Sequence, residues 1–380
     1  MEGCIAARAA YDVIAAVVAG ESPKPARVTV ASRAPTAIWE RVLALEACGA
    51  WLDHERRLST AVAATLVPSQ SLLRASSAGA LRAALMATHQ AAQIAIVAET
   101  AGVRALAVKG VARLLLGEPP GRRTMSDIDF LVDGSGAEVL HDALQSAAGY
   151  TVDAAGIPAR HLPTLVRAAS LPVEIHRRVS DAGTSPMERR IWMGTQRVTI
   201  GSASFDIPDA TAMLMHALEH AVVVHRAARF RLRDVLDVAA LSTEAVDWLE
   251  VRRFVSDHDQ RSALWTLLGA ASSVPGSRGG PDWALRGSPG GAQTEAWRRV
   301  RRVGRARLLA PARAGMPPAS DPRVLVLSQL AQGSASDILR LMFRAIVRPK
   351  HAVRLIAGDW LPVEAEEKLP ANGVAGRTAG

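Results

Sequence analysis

Cysteine is almost missing from this chain of 380 residues, which has only Cys4 and Cys48. Two thiols cannot build a disulfide framework or, by themselves, a zinc cage, so the chain requires neither an oxidising compartment nor a structural metal. Aromatic residues are also few, at 4% of the sequence: five Phe, two Tyr and eight Trp. That leaves few platforms for stacking nucleobases, and no RNA-binding signature is present. Long apolar runs are lacking too. The stretch around Val13 to Val18 is interrupted at Asp12 and has no charged segment ahead of it, which reads against a signal peptide. No other run approaches the roughly 20 apolar residues of a membrane span. Together these absences predict a soluble, cytoplasmic protein with no membrane partner.

What is present is enough apolar material for a substantial core, 49% of the residues, and a formal net charge of +9. A basic balance favours polyanionic partners, because Lys and Arg release counterions when they neutralise phosphates. Many arginines, however, sit at helical spacing among alanines, where a solvated face explains them equally well. Nucleic acid is therefore an alternative partner and not the favoured one. The wealth of Ala, Arg, Gly and Pro fits the bias of a GC-rich genome and carries little functional weight.

Apolar positions three and four apart, such as Ile38, Val42 and Leu45 and then Leu81, Leu85, Ile94 and Val97, predict helices over 36–60 and 79–101. The rhythm then changes. ALAVKG is a short apolar run stopped by Gly110, VARLLLG reads as a helix, and SDIDFLVDG alternates before a turn at Asp133-Gly134. Ser135 followed by Glu138 is a capping-box signal and Gly149 a helix stop, while LPVEIHRRV is a further strand. Alternating strands and helices between about 105 and 180 predict a small α/β unit. Residues 210–242 read as two helices joined near Arg226 to Arg229, 272–295 as a Gly/Pro/Ser-rich loop, 320–357 as helical, and the tail after Leu369 as loose.

Three features carry chemistry. In a strand Asp127 and Asp129 project to one side while Ile128 and Phe130 project to the other, so two carboxylates repel unless a cation sits between them. Such a pair suits Mg²⁺, or Mn²⁺ in its place, although two solvated aspartates at a polar strand edge would look the same. Glu174 alternates against Val173 and Ile175 and adds a third carboxylate if the two strands are neighbours. Three carboxylates suffice for two metal ions about 4 Å apart, one activating the attacking oxygen and the other steadying the leaving phosphate. Finally, VKGVARLLL runs a strand into Gly110 and a helix, presenting backbone N–H groups to phosphate oxygens, with Lys109 as a point charge and Arg122 and Arg123 as candidate phosphate clamps. His216 and His220 lie four apart on a helix with His225 after them. No cysteine or carboxylate completes a zinc site there, which favours packing or substrate-facing roles.

The ordered set Lys109-Gly110, Arg123-Thr124-Met125-Ser126-Asp127-Ile128-Asp129-Phe130-Leu131-Val132, Gly149-Tyr150 and Val173-Glu174-Ile175-His176 resembles the uncharacterised nucleotidyltransferase family of the DNA polymerase beta-like superfamily. The segments His216 to His220 and Arg233 to Asp237 are similar to that family's helical part, and the likeness runs over about residues 80–245. It implies an α+β fold, with a small mixed-sheet core flanked by N-terminal and C-terminal helical regions. The expected divisions are a helical lead-in over 1–90, the core over 91–208, a helical domain over 209–270, a flexible loop over 271–296 and a helical C-terminal region with a loose tail over 297–380. It implies Mg²⁺ or Mn²⁺ held by Asp127, Asp129 and Glu174 as the catalytic set; Lys109, Gly110 and Arg123 are the expected triphosphate contacts, and His220 and Asp237 are candidate contacts from the helical side, where Asp234 and Asp237 read equally well as satisfied structural carboxylates. It further implies transfer of a nucleoside monophosphate from a nucleoside triphosphate to a hydroxyl of a small molecule, peptide or protein. Lys109-Gly110-Val111 departs from the glycine-serine phosphate loop of the wider superfamily. A non-catalytic nucleotide-binding module is the alternative, favoured if Glu174 turns away or Lys109 takes the metal's place.

Overall fold

Helices come first along the chain, as the apolar spacing predicts. In the computed structural model α1 spans Glu2–Val18, α2 Pro25–Ser32, α3 Thr36–Glu46, α4 Gly49–Leu58 and α5 Gln70–Thr100. The structure describes residues 2–58, 60, 66, 70–153, 160–179, 186–224, 231–242, 245–277 and 293–309. The helix expected over 36–60 is broken in two, because Ala47 adopts a left-handed conformation (φ 49°) that ends α3. α5 runs unbroken through position 90, so the sheet is entered at its end, after Gly102 (φ 66°) turns the chain.

Beyond α5 come β1 (Ala105–Ala107), α6 (Lys109–Leu115), β2 (Ile128–Val132), α7 (Gly136–Ala148), β3 (Thr151–Val152), β4 (Leu165–Val166) and β5 (Val173–His176). They are followed by α8 (Pro186–Met193), β6 (Thr195–Ile200), β7 (Ala203–Pro208) and α9 (Ala210–Glu219). The strands form one mixed seven-stranded sheet in the order β3-β4-β5-β2-β1-β7-β6. β2 pairs antiparallel with β1 and parallel with β5, which makes it a central strand. All five of its residues are buried, so the alternation expected for SDIDFLVDG does not appear as alternating exposure. β6 and β7, absent from the strand-helix pattern read between 105 and 180, extend the same sheet.

A π-helical turn (His220–Val224) continues α9, and α10 (Leu232–Leu241), α11 (Trp248–Asp257), α12 (Arg261–Ala271) and α13 (Gln293–Leu309) complete the described chain. The α+β architecture is thus as expected. The junction near Arg226 to Arg229, His225, most of the Gly/Pro/Ser-rich stretch, the expected helices over 320–357 and the tail lie outside the described residues. Residues Met1–Gln332 make up one unit, and Gly333–Gly380 a second that falls outside the described residues. The capping box is not formed. Ser135 has helical backbone angles and makes no side-chain cap, and Glu138 pairs with Arg177 instead; Gly149 does end α7 in the left-handed conformation.

α5 and α7 pack against one another and against the sheet, and a buried amide fastens α5 to the loop before β5. Gln90 Nε2 donates to the Leu171 carbonyl and to the Tyr150 hydroxyl, both at 3.0 Å, and its Oε1 accepts from Leu171 N–H at 2.8 Å. Replacing it strands polar groups whose desolvation has already occurred on folding. Gln90→Leu is expected to lower unfolding free energy by about 3 kcal/mol in urea titration, and a loss under about 1 kcal/mol would mean the latch carries little.

Candidate active site

The parallel register of β2 and β5 sets Asp129 beside Glu174 and Leu131 beside His176. Side chains two apart along a strand share a face, so Asp129, Glu174 and His176 converge there, and Asp127, just before β2, projects the same way. A ligand atom from each of Asp129, Glu174 and His176 lies within 4.8 Å of the other two. His176 Nε2 is 2.8 Å from Asp129 Oδ1 and 3.3 Å from Glu174 Oε2, and His161 Nε2 is 3.9 Å from the same Glu174 oxygen. His176 and His161 were given no role from sequence. The signal for His176 was its place two residues after Glu174 on the same strand face.

Lys109 reaches this group from the opposite side. It opens α6 with a left-handed backbone (φ 52°), and its Nζ lies 2.5 Å from Asp129 Oδ1. The left-handed residue is therefore Lys109 and not Gly110. Gly110 is needed for another reason, since a Cβ there would overlap the guanidinium of Arg123 and crowd Met125. Space over Gly110 is thus taken by a side chain.

Electrostatics follow from these neighbours. Burial would raise the Asp129 pKa, but the charge of Lys109 and the hydrogen bond from His176 hold it well below the usual carboxylate range. The hydrogen bond from His176 likewise lowers Glu174 against the opposing effects of burial and Asp129. Asp127 goes the other way, raised by burial and by repulsion from Asp129 and Glu174. A carboxylate left under negative pressure beside two others is the chemistry a divalent cation relieves. The oxygen donors of Asp127, Asp129 and Glu174 suit Mg²⁺ or Mn²⁺, with His176 as an added nitrogen ligand or a second-layer support for Asp129.

A cavity of about 270 Å³ opens beside these groups, lined by Lys109, Ser126, Asp127 and Asp129 on the sheet side and by His216, His220, Arg233 and Asp237 on the helical side. Glu174 and Arg122 are not among its lining residues; Arg122 pairs with Glu55. His220 and Asp237 both line this cavity. His216 and His220 meet edge to face with centroids 6.0 Å apart, and His220 begins the π-helical turn. Burial, reinforced by the charges of Lys109 and His176, pushes the His216 pKa down to about 3.

Asp237 is the organiser of the far wall. It accepts hydrogen bonds from Arg123, Nε to Oδ1 at 3.0 Å and to Oδ2 at 3.3 Å and Nη2 to Oδ2 at 3.1 Å, and another from Arg113, whose Nη2 is 2.5 Å from Glu118. Burial opposes ionisation of Asp237, but Arg113, Arg123 and Arg233 hold it far below the usual range. Its helix is anchored at the start by Arg231 N–H on Asp234 Oδ2 (2.6 Å) and Leu232 N–H on the buried Glu46 (2.9 Å), so Asp234 serves as a cap. Arg113 and Arg233 had no role assigned from sequence, because nothing local marks which arginines will face one carboxylate.

The sequence pattern described as "uncharacterised nucleotidyltransferase" matches residues 53–274, more than half of the chain and including every residue of this site. This chain belongs to that family. None of the curated proteins matches it. Among solved structures it is similar to an antigenic nucleotidyltransferase-like protein from Paracoccidioides brasiliensis, at 14% identity over 49% of this chain and 92% of that one, with a TM-score of 0.28, a likeness too slight to carry an argument. Among the described residues no helix is long and apolar enough to cross a membrane.

The burial of His216 makes its pH behaviour testable. A histidine whose folded pKa is lowered to about 3 binds its proton more readily in the unfolded chain, so its contribution to stability is present above an unfolded value of about 6.5 and is lost as pH falls toward 3. In chemical denaturation the stability gap between wild type and His216→Gln is expected to shrink steadily as pH is lowered through this window. A constant gap would show that His216 is not held neutral.

Proposed function

We propose that this chain is a metal-dependent nucleotidyltransferase that moves a nucleoside monophosphate from a nucleoside triphosphate to a hydroxyl of a small-molecule, peptide or protein acceptor. The reading is carried by one observation: Asp129 and Glu174 are register partners on adjacent parallel strands, and Asp127 lies on the same face at the wall of a basic cavity. Asp127, Asp129 and Glu174 would hold Mg²⁺ or Mn²⁺. Such ions, when bound, offset charge on the transferring phosphate and lower the pKa of an attacking oxygen.

In this reaction the acceptor oxygen bonds to the α-phosphorus, the bond from that phosphorus to its bridging oxygen breaks, and pyrophosphate departs. The hydroxyl proton passes to a carboxylate. Glu174, with its side chain 21% exposed and bonded to His176, is more open than Asp129 at 3%. His176 and Lys109 keep Asp129 ionised, and Lys109 is within reach to exchange Asp129 for a phosphate oxygen. The helical wall positions the nucleotide and keeps water out.

The same Lys109–Asp129 pair supports a second reading, a nucleotide-binding module without turnover, because an ammonium already neutralises the carboxylate that a metal would use. Titration calorimetry of each nucleoside triphosphate with Mg²⁺ or Mn²⁺, followed by incubation with α-labelled nucleotide and candidate acceptors, separates the two. The expected result is metal-dependent binding and label transfer, both abolished in Asp127→Ala/Asp129→Ala. Binding without transfer or release of pyrophosphate favours the second reading, and no binding under any metal condition defeats both.

A further inference from the structure

Five cations line the first cavity; Arg231 is exposed, and three of the other four are held by carboxylates. Lys109 is held by Asp129, Arg113 by Asp237 and Glu118, and Arg123 by a two-pronged hydrogen bond to Asp237. Arg233 is different. Its nearest acidic partner is Asp237, with Nε 3.7 Å from Oδ2, beyond hydrogen-bond distance, and among the described residues its side chain makes no hydrogen bond. The side chain is nonetheless only 22% exposed. Burial, and then the charge of Arg123, lower its pKa. A half-buried guanidinium that has no hydrogen-bond acceptor among the described residues, and that sits beside other guanidinium groups, is free to take an acceptor from a ligand.

Its position says which ligand. Arg233 lines the 270 Å³ cavity together with Asp127 and Lys109, and it lies within electrostatic reach of both Asp127 and Asp237. It also lines a neighbouring cavity of about 440 Å³ that shares Arg113, Arg123 and Asp237 as a wall. An anion entering beside the carboxylate face meets Arg233 as a half-buried guanidinium with no side-chain hydrogen bond among the described residues. We propose that Arg233 is the side chain that grips the phosphate tail of the bound nucleotide, and that Arg123 is a brace held by Asp237. A planar guanidinium presents paired N–H donors to two phosphate oxygens, and a lysine in its place would present only a point charge. This assignment rests on the nucleotide reading of the cavity.

Inorganic tripolyphosphate without metal isolates the contact from base and metal. Titration calorimetry at low salt should show wild-type binding, a loss of affinity on the order of tenfold to a hundredfold in Arg233→Ala and Arg233→Gln, and partial recovery in Arg233→Lys. A merely structural arginine would lower the melting temperature when removed. Here the melting temperature should hold or rise, because repulsion from Arg123 is relieved. Unchanged affinity in the variants, a lowered melting temperature, or no wild-type binding overturns the assignment. Magnesium–triphosphate binding that ignores Arg233 sinks it and leaves the nucleotidyltransferase reading standing. Tripolyphosphate held through Arg233 in a protein that transfers no nucleotide does the reverse.

Discussion

Asp129 carries a charge on the middle strand of a seven-stranded sheet, where its side chain is only 3% exposed, and much of the site is arranged around keeping that charge balanced. An isolated carboxylate in such surroundings would take up a proton. Lys109 and His176 prevent this from two directions. Lys109 does so from a left-handed backbone position that a side chain rarely adopts, a local strain that the ion pair helps to hold in place. His176 comes from the adjacent strand in register and also steadies Glu174. One buried ion pair thus ties the start of α6, β2 and β5 together.

A second balance point joins this sheet to the helices. Asp237 on α10 gathers Arg113 from α6 and Arg123 from the segment leading into β2, and Gly110 leaves room for the Arg123 guanidinium because it has no side chain. Removing such a carboxylate would leave Arg123 without its acceptor and Arg113 with Glu118 alone, a more serious loss than a surface ion pair. The arrangement also explains the Lys-Gly pair at the mouth of α6. Its lysine serves the aspartate strand, and its glycine serves the arginine that faces the helical wall.

Much of this was legible locally. The spacing of Leu81, Leu85, Ile94 and Val97 marked α5, Gly149 marked the end of α7, and the alternation around Glu174 put it on the face of a strand. The Asp127/Asp129 pair and its likeness to a known family led to the carboxylate trio. Other signals misled for definite reasons. Ser135 and Glu138 have capping-box spacing, but Glu138 is drawn to Arg177, which is distant in sequence. Residues 36–60 have continuous helical periodicity, but Ala47 turns left-handed between two helices. Short-range pattern cannot register a partner that arrives from elsewhere in the chain.

By itself the amino-acid order determined the helices with long apolar periods, the alternating strands and helices of the core and the residue types able to hold a cation, because each depends on spacing along one segment; the α+β class came with the family resemblance. Only the tertiary structure decided that Glu174 sits beside Asp129 and that Lys109 closes onto that aspartate. It alone distinguished an arginine held by a two-pronged hydrogen bond, Arg123, from one with no side-chain hydrogen bond among the described residues, Arg233. The reason is physical: a charge is satisfied or left over according to what lies within a few ångströms of it, and for these groups the neighbours come from segments tens to more than a hundred residues apart.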